Sequence, residues 1–291
     1  MKRSQIRIHQ EDPVLFQEAI NFTSAKTGFR PRMIEKDYFC SVILEYIAAV
    51  NSKLVFKGGT CLSKIHTDFY RLSEDLDFSI SISPSVNRTS RSKCMESIKK
   101  NFNSMDEEIT NIETEANLAG HNESTQYIGL WKYYSLLRDQ PERVKIEIGL
   151  REKVLEAATP LSAGTLLKNP LDGENLVETF KIGCLSYREA MAEKIRAALT
   201  RREPAIRDFF DIDYSVRKNQ LNFDDKRLLF LIEKKLNVPG TGDINLSKNR
   251  INKLRRQLKA QLEPVLRPQD FQRFDFERAL KTVKKIAAHF K

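Results

Sequence analysis

The chain has 291 residues, a formal charge of +10, and 41% hydrophobic against 30% charged side chains. A chain this long buries about three quarters of its unfolded surface, so a core forms without a disulfide or zinc staple, and this balance excludes a disordered tail protein. No run approaches the ~18 apolar residues of a membrane helix. The opening MKRSQIRIHQEDPVLF lacks a continuous apolar segment and a small-residue cleavage site, so neither secretion nor a membrane partner is expected.

In chain order, residues 13–28 and 32–50 are predicted helices, the second carrying Ile34, Tyr38, Val42 and Tyr46 at four-residue spacing. A short strand, 53–57, runs into Gly58-Gly59-Thr60 and a helix-like stretch to Ile65. Residues 75–82 form the clearest strand, Pro84 to Lys93 a polar turn region, and 91–106 another helix. Strands are expected at 126–137 and 143–150, with Trp131 and Tyr133 on a core face. Residues 159–176 hold two prolines and two glycines and read as a loop between lobes. The expected organisation is therefore an N-terminal lobe, 1–176, and a C-terminal lobe, 177–291. After a strand at 179–185 come helices at 187–201, 205–218, 224–236, 247–262 and 270–290. Charge follows the same division. From Arg188 onward there are 25 Lys plus Arg against 14 Asp plus Glu, while the first 187 residues hold 24 and 25. A basic last third suits a polyanion such as nucleic acid, and a solvated helical surface explains it as well.

Cys40, Cys61, Cys94 and Cys184 are scattered singly, which predicts a reduced, cytoplasmic protein without a structural zinc site. His66 and His121 read as isolated surface or packing residues.

Alternation in 75–82 puts Leu76, Phe78, Ile80 and Ile82 on one face and Asp75, Asp77, Ser79 and Ser81 on the other. Two aspartates roughly 6–7 Å apart along a strand repel unless a cation lies between them, and hard oxygens suit Mg²⁺. On 143–150, Lys145, Glu147 and Gly149 share the outer face. If the strands pair, Glu147 becomes a third carboxylate, enough for the two-cation site of phosphoryl transfer. Upstream, Gly58-Gly59-Thr60 is a turn where backbone N–H groups approach an anion and the Thr60 hydroxyl adds a donor. Each feature alone is equally at home as a solvated strand face or a tight turn.

Lys57-Gly58-Gly59-Thr60-Cys61-Leu62-Ser63-Lys64, continued by Arg71-Leu72-Ser73-Glu74-Asp75-Leu76-Asp77-Phe78, resembles the AbiEii/AbiGii toxin family. These are nucleotidyltransferase-fold proteins of the polymerase-beta-like superfamily, with MenT-type toxins among their relatives. Lys145-Ile146-Glu147, Glu193-Lys194-Ile195-Arg196 and Arg207-Asp208-Phe209-Phe210-Asp211-Ile212 resemble its second, third and fourth motifs. The resemblance implies a bi-lobed α/β (α+β) protein, with a small mixed sheet in the first lobe and helices in the second. It implies a nucleotidyltransferase that moves NMP from an NTP to an acceptor, as the toxin of a toxin–antitoxin pair acting on the 3′ end of tRNA. Asp75, Asp77 and Glu147 would bind Mg²⁺ or Mn²⁺, with Glu147 either ligand or base. Gly58, Gly59, Thr60, Ser73, Lys145 and Lys194 would hold the nucleotide, and Asp211 would orient Lys194. A salt bridge within the helices accounts equally well for Lys194, Asp208 and Asp211. Arg250, Lys253, Arg255, Arg256 and Lys259 are the candidate RNA contacts, a solvated helix face being the alternative. The remaining alternatives are a non-catalytic RNA- or protein-binding module, a metal-dependent nuclease, and a small-molecule nucleotidyltransferase.

Overall fold

The computed structural model describes residues 6–83, 85–218 and 221–290. The first five residues of the opening segment and Pro84, which begins the expected turn region, lie outside that set. The chain divides into two compact units, Met1–Leu185 and Ser186–Lys291.

The first unit is built on a seven-stranded mixed sheet of order β3-β4-β5-β2-β1-β7-β6. Its strands are β1 (Val55–Lys57), β2 (Leu76–Ser79), β3 (Ile112–His121), β4 (Gln126–Tyr134), β5 (Pro141–Gly149), β6 (Thr159–Ala163) and β7 (Phe180–Cys184). Around it lie α1 (Ile8–Glu11), α2 (Pro13–Thr27), α3 (Pro31–Val50), the short α4 (Gly58–Cys61) with a π-helical turn Leu62–His66, α5 (Arg88–Asn103) and α6 (Met105–Glu108). β5 pairs antiparallel with β4 and parallel with β2, and β1 is antiparallel to β2 and parallel to β7.

Register defines the two faces. Trp131 lies opposite Val144, Ile146 beside Leu76, and Ile148 beside Phe78, all buried. This face carries the helices: Phe39 of α3 stacks on Tyr133 with centroids 3.9 Å apart, and Phe102 of α5 lies 5.4 Å from Trp131. Such aromatic pairs add about 0.5–1.5 kcal/mol beyond the area they bury. The opposite face presents Lys57, Asp77, Lys145 and Glu147.

Two strands depart from the expected pattern. β3 buries only Ile112 and Leu118, so its alternation is too weak to read. β6 occupies the start of the expected loop and tolerates Pro160 because it is an edge strand. The division between units accordingly falls at Leu185 rather than after Leu176, since β6 and β7 complete the sheet.

The second unit is helical: α7 (Tyr187–Thr200), α8 (Ile206–Arg217), α9 (Lys226–Leu236), α10 (Lys248–Gln257) with a π-helical turn Leu258–Leu262, α11 (Pro268–Arg273) and α12 (Phe276–Ala287). Ser186, Asp225, Ser247 and Asp275 accept backbone N–H bonds as N-caps, each contributing about 1 kcal/mol. Ile195 and Leu199 of α7, Phe209 and Ile212 of α8, and Leu231 of α9 are fully buried. No helix among the described residues is long and apolar enough to cross a membrane.

Candidate functional site

The sheet gathers the acidic residues. Parallel pairing sets Asp77 directly beside Glu147, their strands ~4.8 Å apart, and Asp75, two residues before Asp77, shares their face. Lys145 Nζ lies 3.7 Å from Asp75 Oδ2 and 3.6 Å from Glu147 Oε2. Gln126 Nε2 donates to Glu147 Oε1 at 2.7 Å. Burial, then the Glu147 and Asp75 charges, push the Asp77 carboxyl up to about 6, against Lys57 and Lys145. Burial disfavours the charge on Lys145, yet Asp75, Glu147 and Asp77 outweigh it and raise its pKa. The cluster thus carries more negative charge than its own lysines neutralise, and a hard divalent cation fits that donor set.

The glycine turn leans on the same strand. Gly58 has φ of +78°, and a Cβ there would sit 2.2 Å from Asp77 Oδ2, so both backbone and space demand glycine. At Gly59 a Cβ would meet the Arg71 guanidinium at 2.7 Å and Ser73 Oγ at 3.0 Å, which places Ser73 at the turn. Thr60 goes elsewhere than expected. It is buried, and its hydroxyl donates to the backbone carbonyl of Asp75, tying turn to acidic strand instead of facing a phosphate. Lys64 is buried too, donating to Asp37, Ser41 and the Gly164 carbonyl.

Lys57 and Gln126 were not singled out in the sequence. The signal for Lys57 was available: it directly precedes Gly58, and β1–β2 register places it opposite Asp77. Its ammonium lies 3.6 Å from buried Glu152.

In the second unit, Lys194 lies 3.0 Å from Asp208 Oδ1 and 3.2 Å from Asp211 Oδ2, with Arg201 3.3 Å from Asp208 Oδ2. The three motif residues therefore meet, as a buried ion-pair cluster. Arg250 does not belong to an RNA-facing surface: it is 5% exposed and donates to the carbonyls of Ala197, Ala198 and Arg201, capping the end of α7. Lys253 and Arg255 are exposed but paired with Glu203 at 3.4 Å and Glu277 at 2.7 Å. Arg256 and Lys259 are exposed. A hollow unread in the sequence is lined by Tyr214, Arg217, Lys218, Arg267, Asp270 and Arg273, a cationic setting suited to a phosphate.

His66 is not isolated. It lies with Cys61 and Cys184, their ligand atoms within 4.8 Å of one another. The Cys61 thiol's hydrogen bond, opposed by burial and aided by His66, brings the Cys184 thiol down to about 6.

No curated protein matches the sequence. A candidate nucleotidyltransferase from Helicobacter pylori is similar over 95% of this chain and 94% of its own, at 15% identity and a TM-score of 0.46. JHP933 from Helicobacter pylori is similar over 93% and 90%, at 15% identity and a TM-score of 0.48. The family model described as nucleotidyl transferase AbiEii toxin, type IV toxin–antitoxin system, matches residues 43–282, reaching well beyond the motifs into α12. That match covers the glycine turn, the carboxylate strands and the Lys194 cluster alike, and the chain belongs to the AbiEii nucleotidyl transferase toxin family.

Proposed function

We propose that this toxin transfers a nucleoside monophosphate from an NTP to RNA, the 3′ end of tRNA being its acceptor, in the cytoplasm and under the control of a cognate antitoxin. The observation that carries the reading is register: Asp77 and Glu147 stand side by side, with Asp75 on the same face and the Gly58–Gly59 turn against Asp77. Asp75, Asp77 and Glu147 would hold Mg²⁺ or Mn²⁺. When bound, the cation supplies Lewis-acid charge that lowers the pKa of the acceptor hydroxyl and neutralises the triphosphate.

The chain's own groups do the rest. Glu147 is held through one oxygen by Gln126 and faces Lys145 with the other, which suits a fixed ligand better than a mobile base. Lys145, now occupied by Asp75 and Glu147, is set to turn to the triphosphate once those carboxylates gain another counter-charge. Ser73 and the backbone at Gly59 orient the phosphates. The acceptor's 3′ hydroxyl gives its proton to water, its oxygen bonds to the α-phosphorus, the bond from that phosphorus to the bridging oxygen breaks, and pyrophosphate leaves with the electron pair. Exposed cations of the second unit, Arg256, Lys259, Lys218 and Arg273, would meet the acceptor's phosphates.

Incubation of the full chain with Mg²⁺, each α-labelled NTP in turn, and tRNA or other RNA pools tests this. Label on tRNA from a preferred NTP is expected. Absence of product with every NTP and RNA, while RNA still binds, leaves a binding module; shortened RNA indicates a nuclease, and label on a small molecule a different transferase.

A further inference from the structure

Outside the carboxylate face, three donors are brought together by the fold alone. Cys61 closes α4 directly after Gly58-Gly59-Thr60, His66 ends the π-helical turn, and Cys184 ends β7. They meet because β1 and β7 run parallel with Phe56 opposite Cys184, which brings the end of β7 beside the helix that β1 feeds. Both cysteines are fully buried and His66 is half-buried. His66 Nε2 lies 3.0 Å from the Leu185 carbonyl. A carbonyl only accepts, so a proton on Nε2 donated to it leaves the Nδ1 lone pair for a metal. Metal-binding histidines are oriented in this way, through the second ring nitrogen. Two thiolates and an imidazole select Zn²⁺ over the hard ions that carboxylates prefer.

We propose that Cys61, His66 and Cys184 form a three-ligand site for a thiophilic divalent cation, Zn²⁺ in the cell, separate from the site at Asp75, Asp77 and Glu147. Tetrahedral bonds of ~2.3 Å to sulfur and ~2.0 Å to nitrogen put donors roughly 3.5–3.8 Å apart. Starting from within 4.8 Å, the donors close by about 1.0–1.3 Å at most. Binding converts two thiols to thiolates and releases two protons. The half-buried His66 side admits water as the fourth ligand. The ion would clamp the residue after the glycine turn to the end of β7.

The test is a Co²⁺ titration of the full chain, stripped of metal and kept in a phosphine reductant. One equivalent is expected to produce a thiolate-to-cobalt charge-transfer band with intense visible bands of four-coordinate Co²⁺, both removed by one equivalent of Zn²⁺. Oxygen ligands at Asp75, Asp77 and Glu147 give no thiolate band, so this result and the transfer assay fail independently. Cys184→Ser and His66→Ala are expected to weaken the band at least tenfold in affinity, and Cys94→Ser to leave it intact. X-ray absorption at the zinc edge of the unaltered chain does not depend on a variant folding, and a mixed sulfur–nitrogen shell is expected. No charge-transfer band at saturating Co²⁺, a band unchanged in Cys184→Ser, or a shell of oxygen and nitrogen alone overturns the proposal.

Discussion

On the sheet of the first unit, Lys145 serves Asp75 and Glu147 at 3.7 and 3.6 Å while Asp77 is pushed up to about 6. In the second unit, Lys194 sits 3.0 and 3.2 Å from Asp208 and Asp211, and Arg201 adds a second cation to Asp208. The helical cluster is neutralised from within, whereas the strand cluster is left with unrelieved repulsion. A group of carboxylates kept in that state costs stability, which a bound cation would relieve. Lys194 thereby ties α7 to α8.

The contrast breaks most sharply at Asp77. Asp77→Ala is expected to lower transfer by roughly 10³-fold or more in the α-labelled NTP assay, with RNA affinity by filter binding nearly unchanged. Equal activity would remove the metal assignment. Next comes Lys194→Met, which takes the lysine from buried Asp211 and leaves Asp208 with Arg201, and should cost about 3–5 kcal/mol in urea unfolding. A variant that loses transfer but keeps its unfolding midpoint would show instead that Lys194 serves the nucleotide alone.

Asp77→Asn sharpens the comparison in the opposite direction. Asp77 titrates near 6 when folded, against an ordinary 3.8. The folded chain therefore binds the extra proton, and this carboxyl's penalty on stability grows as pH rises from about 4 to about 6. Removing the charge should stabilise the protein at pH 7 by about 1–3 kcal/mol, with the gain vanishing below pH ~4, as thermal melts across pH would show. Destabilisation at pH 7 would mean that the cluster is not frustrated. The smallest effect is expected of Arg256→Gln with Lys259→Gln: stability within about 0.5 kcal/mol, but a salt dependence of RNA binding shallower by about 1–2 in log–log slope. An unchanged slope would take α10 and its extension out of the RNA path.

Much of this was legible in the sequence because it follows from period-two alternation and local spacing. Asp77 and Glu147 were readable as outward residues of their strands, and parallel pairing then made them neighbours. Lys194, Asp208 and Asp211 were readable as facing residues on two helices. What escaped depends on long-range pairing. Cys61 and Cys184 meet through β1 and β7, and no ligand spacing along the chain encodes that. Arg250 looked like one of several solvent cations, although it stands four residues before buried Leu254, on the apolar side of α10. Thr60 kept its hydroxyl chemistry but turned it inward, a choice made by the backbone of Asp75 and invisible in residue type.

The parallel β2–β5 junction sets a timetable. Asp77 and Glu147 lie seventy residues apart, with the β3–β4 hairpin between them. Loop-closure entropy favours the local antiparallel pairings of β3, β4 and β5 over the distant parallel one. A ribosome-bound chain that has emerged only to Tyr134 carries two of its three acidic residues, and β1 has no β7 beside it until Cys184 is out. Translation thus completes the sheet that carries the acidic cluster only after roughly three fifths of the chain has been made, an interval in which a neutralising partner can be on hand.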